Sequence, residues 1–158
     1  MIKAAILTVS DSCVKGQRED VSGQTAEDIL KKNNFDVRDK QIVADETEQI
    51  STKLIYYSDK AKVDVVFTTG GTGLGPRDVT PEATIAVCEK LVPGLGELMR
   101  LKGLEKTPNA VLSRSIAGIR KDTLIINLPG SPKAVGECLE MILDILPHAV
   151  KMMHGGGH

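Results

Sequence analysis

The sequence predicts a single α/β domain, a three-layer sandwich with a mostly parallel sheet and helices on both faces. Two observations support this prediction. Nearly unbroken apolar runs of strand length recur along the chain, as expected for strands that are buried on both faces. Segments with helical periodicity separate these runs. Because 158 residues leave room for one hydrophobic core, we expect one domain over residues 1–158, with 154–158 as a flexible tail.

The apolar runs predict the strands. Three strong runs cover Ala4–Val9, Val63–Thr69 and Thr123–Leu128. A weaker strand covers roughly Phe35–Val43, because this segment has β-branched residues and lies between helices. Ile116–Arg120 can pair with Thr123–Asn127 across Lys121-Asp122, although that dipeptide is not a favoured hairpin turn.

Helical patterns lie between the strands. They cover Gln24–Lys32, the stripe Ile50, Leu54, Tyr57 and Ala61, the segment after Thr80, the segment Gly94–Lys102, and the stripe Val135, Leu139, Ile142 and Leu146. Asp45 and Glu48 have the spacing of a capping box ahead of the second of these helices. Thr80 before Pro81 and Ser131 before Pro132 each predict an N-cap followed by proline at the first helical position.

Composition limits the classes of function. The 20 basic and 21 acidic side chains leave a net charge of −1, and no basic run suggests a nucleic-acid groove. The N-terminal apolar run is too short for a signal peptide or a membrane span. The three cysteines lack metal-ligand spacing, and their odd number favours reduced thiols in a cytoplasmic protein. We therefore expect small-molecule or protein partners, with no nucleic acid and no membrane.

Unusual loops follow four of the predicted strands. They are Ser10-Asp11-Ser12, Asp45-Glu46, the glycine-rich segment Gly70–Asp78, and Pro129-Gly130-Ser131-Pro132. Ligands of open α/β sheets collect outside the carboxyl ends of the strands. Glycine-rich turns before helix N-termini let backbone amides approach a phosphate. Two such turns beside two aspartates describe a site for a polyphosphate and its metal.

Simpler explanations stay open for several of these residues. The glycine cluster matches neither a Walker A motif nor GxGxxG, and it can equally be a tight turn. Asp45 can serve only as a helix cap. Asp78 has no capping duty if Thr80 caps the following helix, and no helical duty is assigned to Ser113-Arg114-Ser115. The residues alone therefore predict an anion-binding α/β domain with two candidate metal-ligating aspartates.

A long motif carries a family resemblance. The string TTGGTGLGPRDVTPEAT over 68–84 closely resembles the signature of the molybdopterin-binding MogA/MoaB family, which includes the G domain of gephyrin. Further blocks resemble the family in the same order, namely ILTVSDSC, VADE around Asp45, LSRS at Leu112–Ser115 and LIINLPGSPKAV at Leu124–Val135. Together they span nearly the whole chain.

This resemblance implies a molybdopterin adenylyltransferase, which transfers AMP from ATP to the terminal phosphate of molybdopterin and releases pyrophosphate. It also implies a homotrimer and handover of the product to a molybdate-inserting enzyme. By the resemblance, Asp45 and Asp78 are required for adenylyl transfer, and we expect them to hold Mg²⁺ on the ATP phosphates. The expected contacts to nucleotide or molybdopterin are Ser10, Asp11, Thr69, Gly70, Gly71, Thr72, Gly73, Ser113, Arg114, Pro129, Gly130 and Ser131.

The chain departs from the family pattern at two positions. Ala44 precedes the first aspartate where relatives usually have proline, and Gly103 stands where relatives often have a serine upstream of the Thr-Pro step. Neither change removes an expected catalytic group. The alternative function is a non-catalytic molybdopterin-binding or scaffolding protein of MoaB type. This alternative predicts ligand binding without pyrophosphate release.

Overall fold

The computed structural model describes residues 1–157, which form a six-stranded sheet. The strands are β1 (Ile2–Val9), β2 (Phe35–Val43), β3 (Val65–Thr69), β4 (Lys90–Leu91), β5 (Ala117–Arg120) and β6 (Thr123–Leu128), in the spatial order β2-β1-β3-β6-β5-β4. The first four strands in that order are parallel, and β5 and β4 add as antiparallel strands. The predicted α/β class and mostly parallel sheet are confirmed.

Within the described residues, seven helices connect or follow the strands. They are α1 (Asp11–Val14), α2 (Val21–Lys32), α3 (Thr47–Asp59), α4 (Thr80–Val87), α5 (Pro93–Gly103), α6 (Pro132–Ile142) and α7 (Leu146–Met153). Two short 3₁₀ turns lie at Pro108–Leu112 and Leu143–Ile145. Within residues 1–157, none of the helices has the length and apolar character that a bilayer crossing requires.

The sheet separates two hydrophobic layers. On one face, Phe67 and Ile126 pack with residues of α2, α5, α6 and α7, such as Leu139. On the other face, Leu7 and Val66 pack with residues of α3 and α4. Alternate residues of each central strand therefore enter opposite layers, which explains why these strands appear in the sequence as continuous apolar runs.

Three expectations about helix ends are wrong. Glu46, not Asp45, precedes α3, and it makes no capping hydrogen bond, so there is no capping box. Thr80 is the first residue of α4, and its hydroxyl donates to the carbonyl of Gly70 at 3.0 Å instead of capping the helix. The closing helix is divided by the 3₁₀ turn between α6 and α7, whereas Ser131 does cap α6 as predicted.

The hairpin between β5 and β6 forms as expected, with Arg120 opposite Thr123. Lys121 supplies the reversal by adopting a φ of 51°, a left-handed conformation that glycine or asparagine more often provides. At the end of α7, the N–H of Gly155 donates to Met152 and that of Gly156 to Lys151. The tail expected at 154–158 stays a prediction, and His158 lies outside the described residues.

Candidate active site

A cleft of about 660 Å³ opens at the carboxyl ends of β1, β3 and β6. Parallel strands bring these ends to one edge of the sheet, so segments that are distant in sequence share the cleft. The predicted residues that line it are Ser10, Asp45, Thr69, Gly70, Gly71, Asp78, Gly130 and Ser131. Thr8, Val9, Cys13, Arg18, Glu19, Asp20, Val21, Ser22 and Pro132 complete its wall. Asp45 and Asp78, contributed by loops after different strands, therefore border one cavity.

Asp45 is fixed by a reciprocal pair of hydrogen bonds with Asp11. The backbone N–H of Asp11 donates to Asp45 Oδ2 at 2.8 Å, and the N–H of Asp45 donates to Asp11 Oδ1 at 3.0 Å. Burial raises the pKa of Asp45, and the negative charges of Asp11 and Asp78 act in the same direction, although the N–H of Asp11 opposes them. A cation beside Asp45 would favour the charged carboxylate and so would oppose this rise in its pKa.

Asp78 closes the glycine-rich loop that follows β3. The N–H of Gly75 donates to Asp78 Oδ2 at 2.9 Å, and a Cβ on Gly73 or Gly75 would lie 2.9 Å from the same oxygen. Gly70 and Gly71 at the start of this loop have φ values of 91° and 68°. The loop is therefore built around the Asp78 carboxylate and needs glycine where the chain turns against it.

The turn after β6 also lines the cleft, next to Gly70 of the glycine-rich loop. The hydroxyl of Ser131 accepts from the N–H of Ala134 at 3.2 Å and caps α6, whose N-terminus faces the cleft region. The carbonyl of Gly130 accepts from the hydroxyl of Ser22 at 2.5 Å, which links the turn to α2. A helix N-terminus favours bound anions through its free N–H groups and dipole.

Asp20 is a site residue that the sequence analysis missed. Its Oδ1 accepts from the N–H of Gly23 and caps α2, and its Oδ2 accepts from the hydroxyl of Thr8 at 2.7 Å. The hydroxyl of Thr69 donates to that of Thr8 at 3.3 Å, so a chain of hydroxyls leads from β3 to this carboxylate. The N-cap pattern of Asp20 was available in the sequence, but α2 was expected to begin three residues too late.

The cleft is acidic. Glu19, Asp20, Asp45 and Asp78 line it, against one basic side chain, Arg18. Among residues 1–157 there is no cluster of three or more histidine, cysteine or carboxylate side chains that could hold a metal by itself. A magnesium ion that also binds phosphate oxygens and water needs only one or two carboxylates. The two aspartates therefore fit a metal that arrives with a polyphosphate.

Several predicted contacts lie outside this cleft. Ser113 and Pro129 line a second cavity of about 200 Å³, together with Arg100 and Gly103. Arg114 is engaged with the glycine-rich loop, since its guanidinium donates to the carbonyls of Gly73 and Asp78. It also pairs with Glu82.

The three other predicted contacts, Asp11, Thr72 and Gly73, do not line the cleft: Asp11 begins α1, and Thr72 and Gly73 lie in the glycine-rich loop. Asp11 pairs with Arg77, and the hydrogen bonds from that guanidinium hold the pKa of Asp11 below its usual range. The carbonyl of Thr72 accepts from the N–H of Arg114 at 2.9 Å, which joins the glycine-rich loop to the segment that carries Ser113. Ligand contact by these residues stays a prediction.

Comparisons with known families, sequences and structures all point to the same family. A family model described as "probable molybdopterin binding domain" matches residues 5–148. The molybdopterin adenylyltransferase of Helicobacter pylori J99 is 46% identical over 98% of this chain and 89% of its own length. The enzyme of that name from Escherichia coli K12 is 37% identical, covering 98% and 79%. The crystal structure of the molybdopterin biosynthesis enzyme MoaB from Thermus thermophilus superimposes with a TM-score of 0.93 at 48% identity, covering 98% of both chains.

Proposed function

The chain belongs to the probable molybdopterin binding domain family, and on that premise we propose that it is a molybdopterin adenylyltransferase of molybdenum cofactor biosynthesis. The reaction joins AMP from ATP to the terminal phosphate of molybdopterin. The observation that carries the proposal is one cleft bordered by Asp45, Asp78 and two glycine turns. The carboxylates suit the metal of a triphosphate, and the glycine turns suit its phosphates, because they let backbone N–H groups approach closely.

The proposed reaction brings two anions together. A terminal phosphate oxygen of molybdopterin attacks the α-phosphorus of ATP, the α–β phosphoanhydride bond breaks, and pyrophosphate leaves. Backbone N–H groups of Gly71 and of the turn at Gly130–Ser131 bind and orient phosphate oxygens, whereas the N–H of Gly70 is already donated to the carbonyl of Leu128. Positioning and charge stabilisation account for catalysis of this kind, because the protein itself forms no covalent bond.

The acidic lining supports a role for Mg²⁺ with the nucleotide. Asp45 and Asp78 would hold the ion, and Asp20 lines the same cleft. When bound, Mg²⁺ supplies positive charge that offsets the repulsion between the phosphates and the carboxylates. Backbone hydrogen bonds hold the two aspartates in place. The N–H of Asp11 donates to Asp45, and the N–H of Gly75 donates to Asp78.

The second cavity suits the pterin portion of the substrate. Ser113 and Pro129 lie on its wall, and Pro129 directly precedes the Gly130 turn of the cleft. Gly103 lies on the same cavity, and a Cβ there would approach the Cβ of Ala110 to 2.8 Å. A serine at this position would therefore require a small shift of the 3₁₀ turn that carries Ala110. We infer that this chain holds the pterin without a hydroxyl at position 103.

We propose a homotrimer in the cytoplasm that hands its product to a molybdate-inserting enzyme. Apolar side chains are exposed at the end of α5 and in the following 3₁₀ turn, namely Leu101, Leu104, Val111 and Leu112. Exposed apolar groups in one region support burial between subunits. Analytical ultracentrifugation tests the trimer. The monomer mass is 17.0 kDa, and a trimer would give a measured mass three times as large.

Pyrophosphate release in the presence of molybdopterin and Mg-ATP tests the adenylyl transfer. We expect turnover by the wild-type protein and at least a hundredfold loss in Asp78→Asn, since the reaction loses one metal-ligating charge. The asparagine oxygen can still accept from Gly75, so folding and molybdopterin binding should be preserved. Asp122→Asn in the exposed hairpin is the matched control.

Two results would count against the proposal. Normal turnover by Asp78→Asn would remove the role of that carboxylate. Binding of molybdopterin by the wild-type protein without any release of pyrophosphate would favour the non-catalytic scaffolding protein instead.

A further inference from the structure

We propose that Arg77 is a positioning residue for Asp45, acting through Asp11 and without contact to the substrates. The inference rests on the proposed function, because it assigns Asp45 to the nucleotide and its metal. Arg77 belongs to the glycine-rich loop after β3, whereas Asp11 follows β1 and Asp45 follows β2. The three residues therefore come from three separate strand ends.

The guanidinium of Arg77 joins these three loops. Its Nε and Nη2 donate to the two carboxylate oxygens of Asp11, each at 3.0 Å. Nη2 also donates to Glu46 Oε1 at 2.9 Å, next to Asp45 in the chain. A planar guanidinium matches a carboxylate with two parallel bonds, which fixes direction as well as distance. A lysine ammonium can supply the charge but not this fork.

Asp11 transmits that constraint to Asp45. The same Asp11 oxygen that accepts from Arg77 Nη2 accepts from the N–H of Asp45 at 3.0 Å. In return, the N–H of Asp11 donates to Asp45 Oδ2 at 2.8 Å. Without Arg77, Asp11 would keep its charge but lose the two hydrogen bonds that orient its carboxylate. The position of the Asp45 loop and the orientation of the Asp45 side chain both depend on the orientation of that carboxylate.

Arg77 does not line the cleft itself, which separates its effect from direct ligand binding. Its side chain is 54% exposed, so its replacement leaves no buried cavity. The side chain of Arg38 has the same exposure of 54%, and it pairs with an aspartate, Asp36, within the edge strand β2. Arg38→Gln is therefore a control that matches Arg77→Gln in residue type, exposure and loss of an ion pair.

The test measures binding without turnover. Mn²⁺ with α,β-methylene-ATP serves as the probe, since its α–β linkage cannot be cleaved, and free Mn²⁺ is quantified by electron paramagnetic resonance. We expect Arg77→Gln to raise the Kd of this pair at least about tenfold, as is typical when the partner of a metal ligand is removed. Arg38→Gln should bind like the wild type, and Arg77→Lys should recover only part of the loss.

A double-mutant cycle identifies the route through Asp11. In an Asp11→Ala background, Arg77→Gln should change the Kd less than twofold, because the carboxylate that it orients is gone. Thermal unfolding of each variant shows whether the fold is kept, and molybdopterin affinity should be unchanged by Arg77→Gln. A merely structural role would lower the unfolding temperature and would add independently to Asp11→Ala.

The outcomes separate this inference from the proposed function. Wild-type binding of the probe with an unchanged Kd in Arg77→Gln, or full additivity in the cycle, overturns the role of Arg77 alone. A wild-type protein that does not bind the probe overturns the inference together with the proposed nucleotide site. Normal probe binding without pyrophosphate release from natural ATP overturns only the proposed function.

Discussion

Replacement of Gly71 by alanine should destabilise the protein and damage the cleft together. Gly71 has a φ of 68°, and a Cβ built on it would lie 2.2 Å from the hydroxyl oxygen of Thr80. The added methyl must therefore displace the hydroxyl that donates to Gly70 at 3.0 Å. Because Thr80 is fully buried at the start of α4, the displacement has to be taken up by the loop that lines the cleft.

The magnitude follows from two contributions. The left-handed conformation costs alanine about 1 to 2 kcal/mol relative to glycine. Loss of one buried hydrogen bond costs roughly 1 kcal/mol more. We expect a decrease of about 2 to 3 kcal/mol in the free energy of unfolding, which corresponds to roughly 5 to 10 °C in the unfolding temperature of a domain of this size.

Urea denaturation followed by circular dichroism measures the free energy of unfolding, and pyrophosphate release measures the cleft. Gly94→Ala is the matched control, because no atom lies within 4 Å of a Cβ at that position in α5. It should stabilise the protein by about 0.5 to 1 kcal/mol and leave turnover unchanged. A loss of under about 0.5 kcal/mol in Gly71→Ala, with normal turnover, would refute the reasoning.

Two other changes test the core and the charge of the cleft. Leu139 is fully buried on α6. Leu139→Ala should lower the free energy of unfolding, measured by urea denaturation, by about 3 kcal/mol. A loss of under about 1 kcal/mol would contradict its place in the core. Burial raises the pKa of Asp45 above 3.8, so protonation of this side chain favours the folded state. The stabilisation is fully present below pH 3.8 and is lost as the pH rises through the higher folded-state pKa. Asp45→Asn should therefore become more stable than the wild type as the pH rises to neutrality. Denaturation midpoints of both proteins are measured at several pH values without metal. The prediction is contradicted if the difference between the two midpoints does not change with pH.

The fold was largely predictable because its strands are buried on both faces. The bounds of β2 were predicted correctly as Phe35–Val43, and the four parallel strands were recognised from composition and order. The two-residue strand β4 and the four-residue helix α1 carry too few residues for any periodicity to show. The division between α6 and α7 also leaves no break in the apolar stripe from Val135 to Leu146.

The site was predictable only where chain connectivity determines it. The carboxyl ends of parallel strands must meet at one edge, so Asp45 and Asp78 could be expected together. The partners of individual polar groups depend on tertiary distances that the sequence does not encode locally. The hydroxyl of Thr80 therefore bonds Gly70 rather than its own helix, and Arg114 bonds the glycine-rich loop. Asp20 was missed for a different reason, since α2 begins at Val21, three residues before its predicted start.

The two edge strands of the sheet, β2 and β4, also affect how copies of the protein can associate. At one end, the edge strand β2 carries the charged residues Asp36, Arg38, Asp39 and Lys40, and at the other end β4 is two residues long. A strand from another molecule that tried to extend the sheet would have to dehydrate those charges or pair with almost no backbone. Fibre-like growth is thereby disfavoured even in concentrated solution. Association between copies is consequently expected through helices and loops, which leaves each sheet a closed unit.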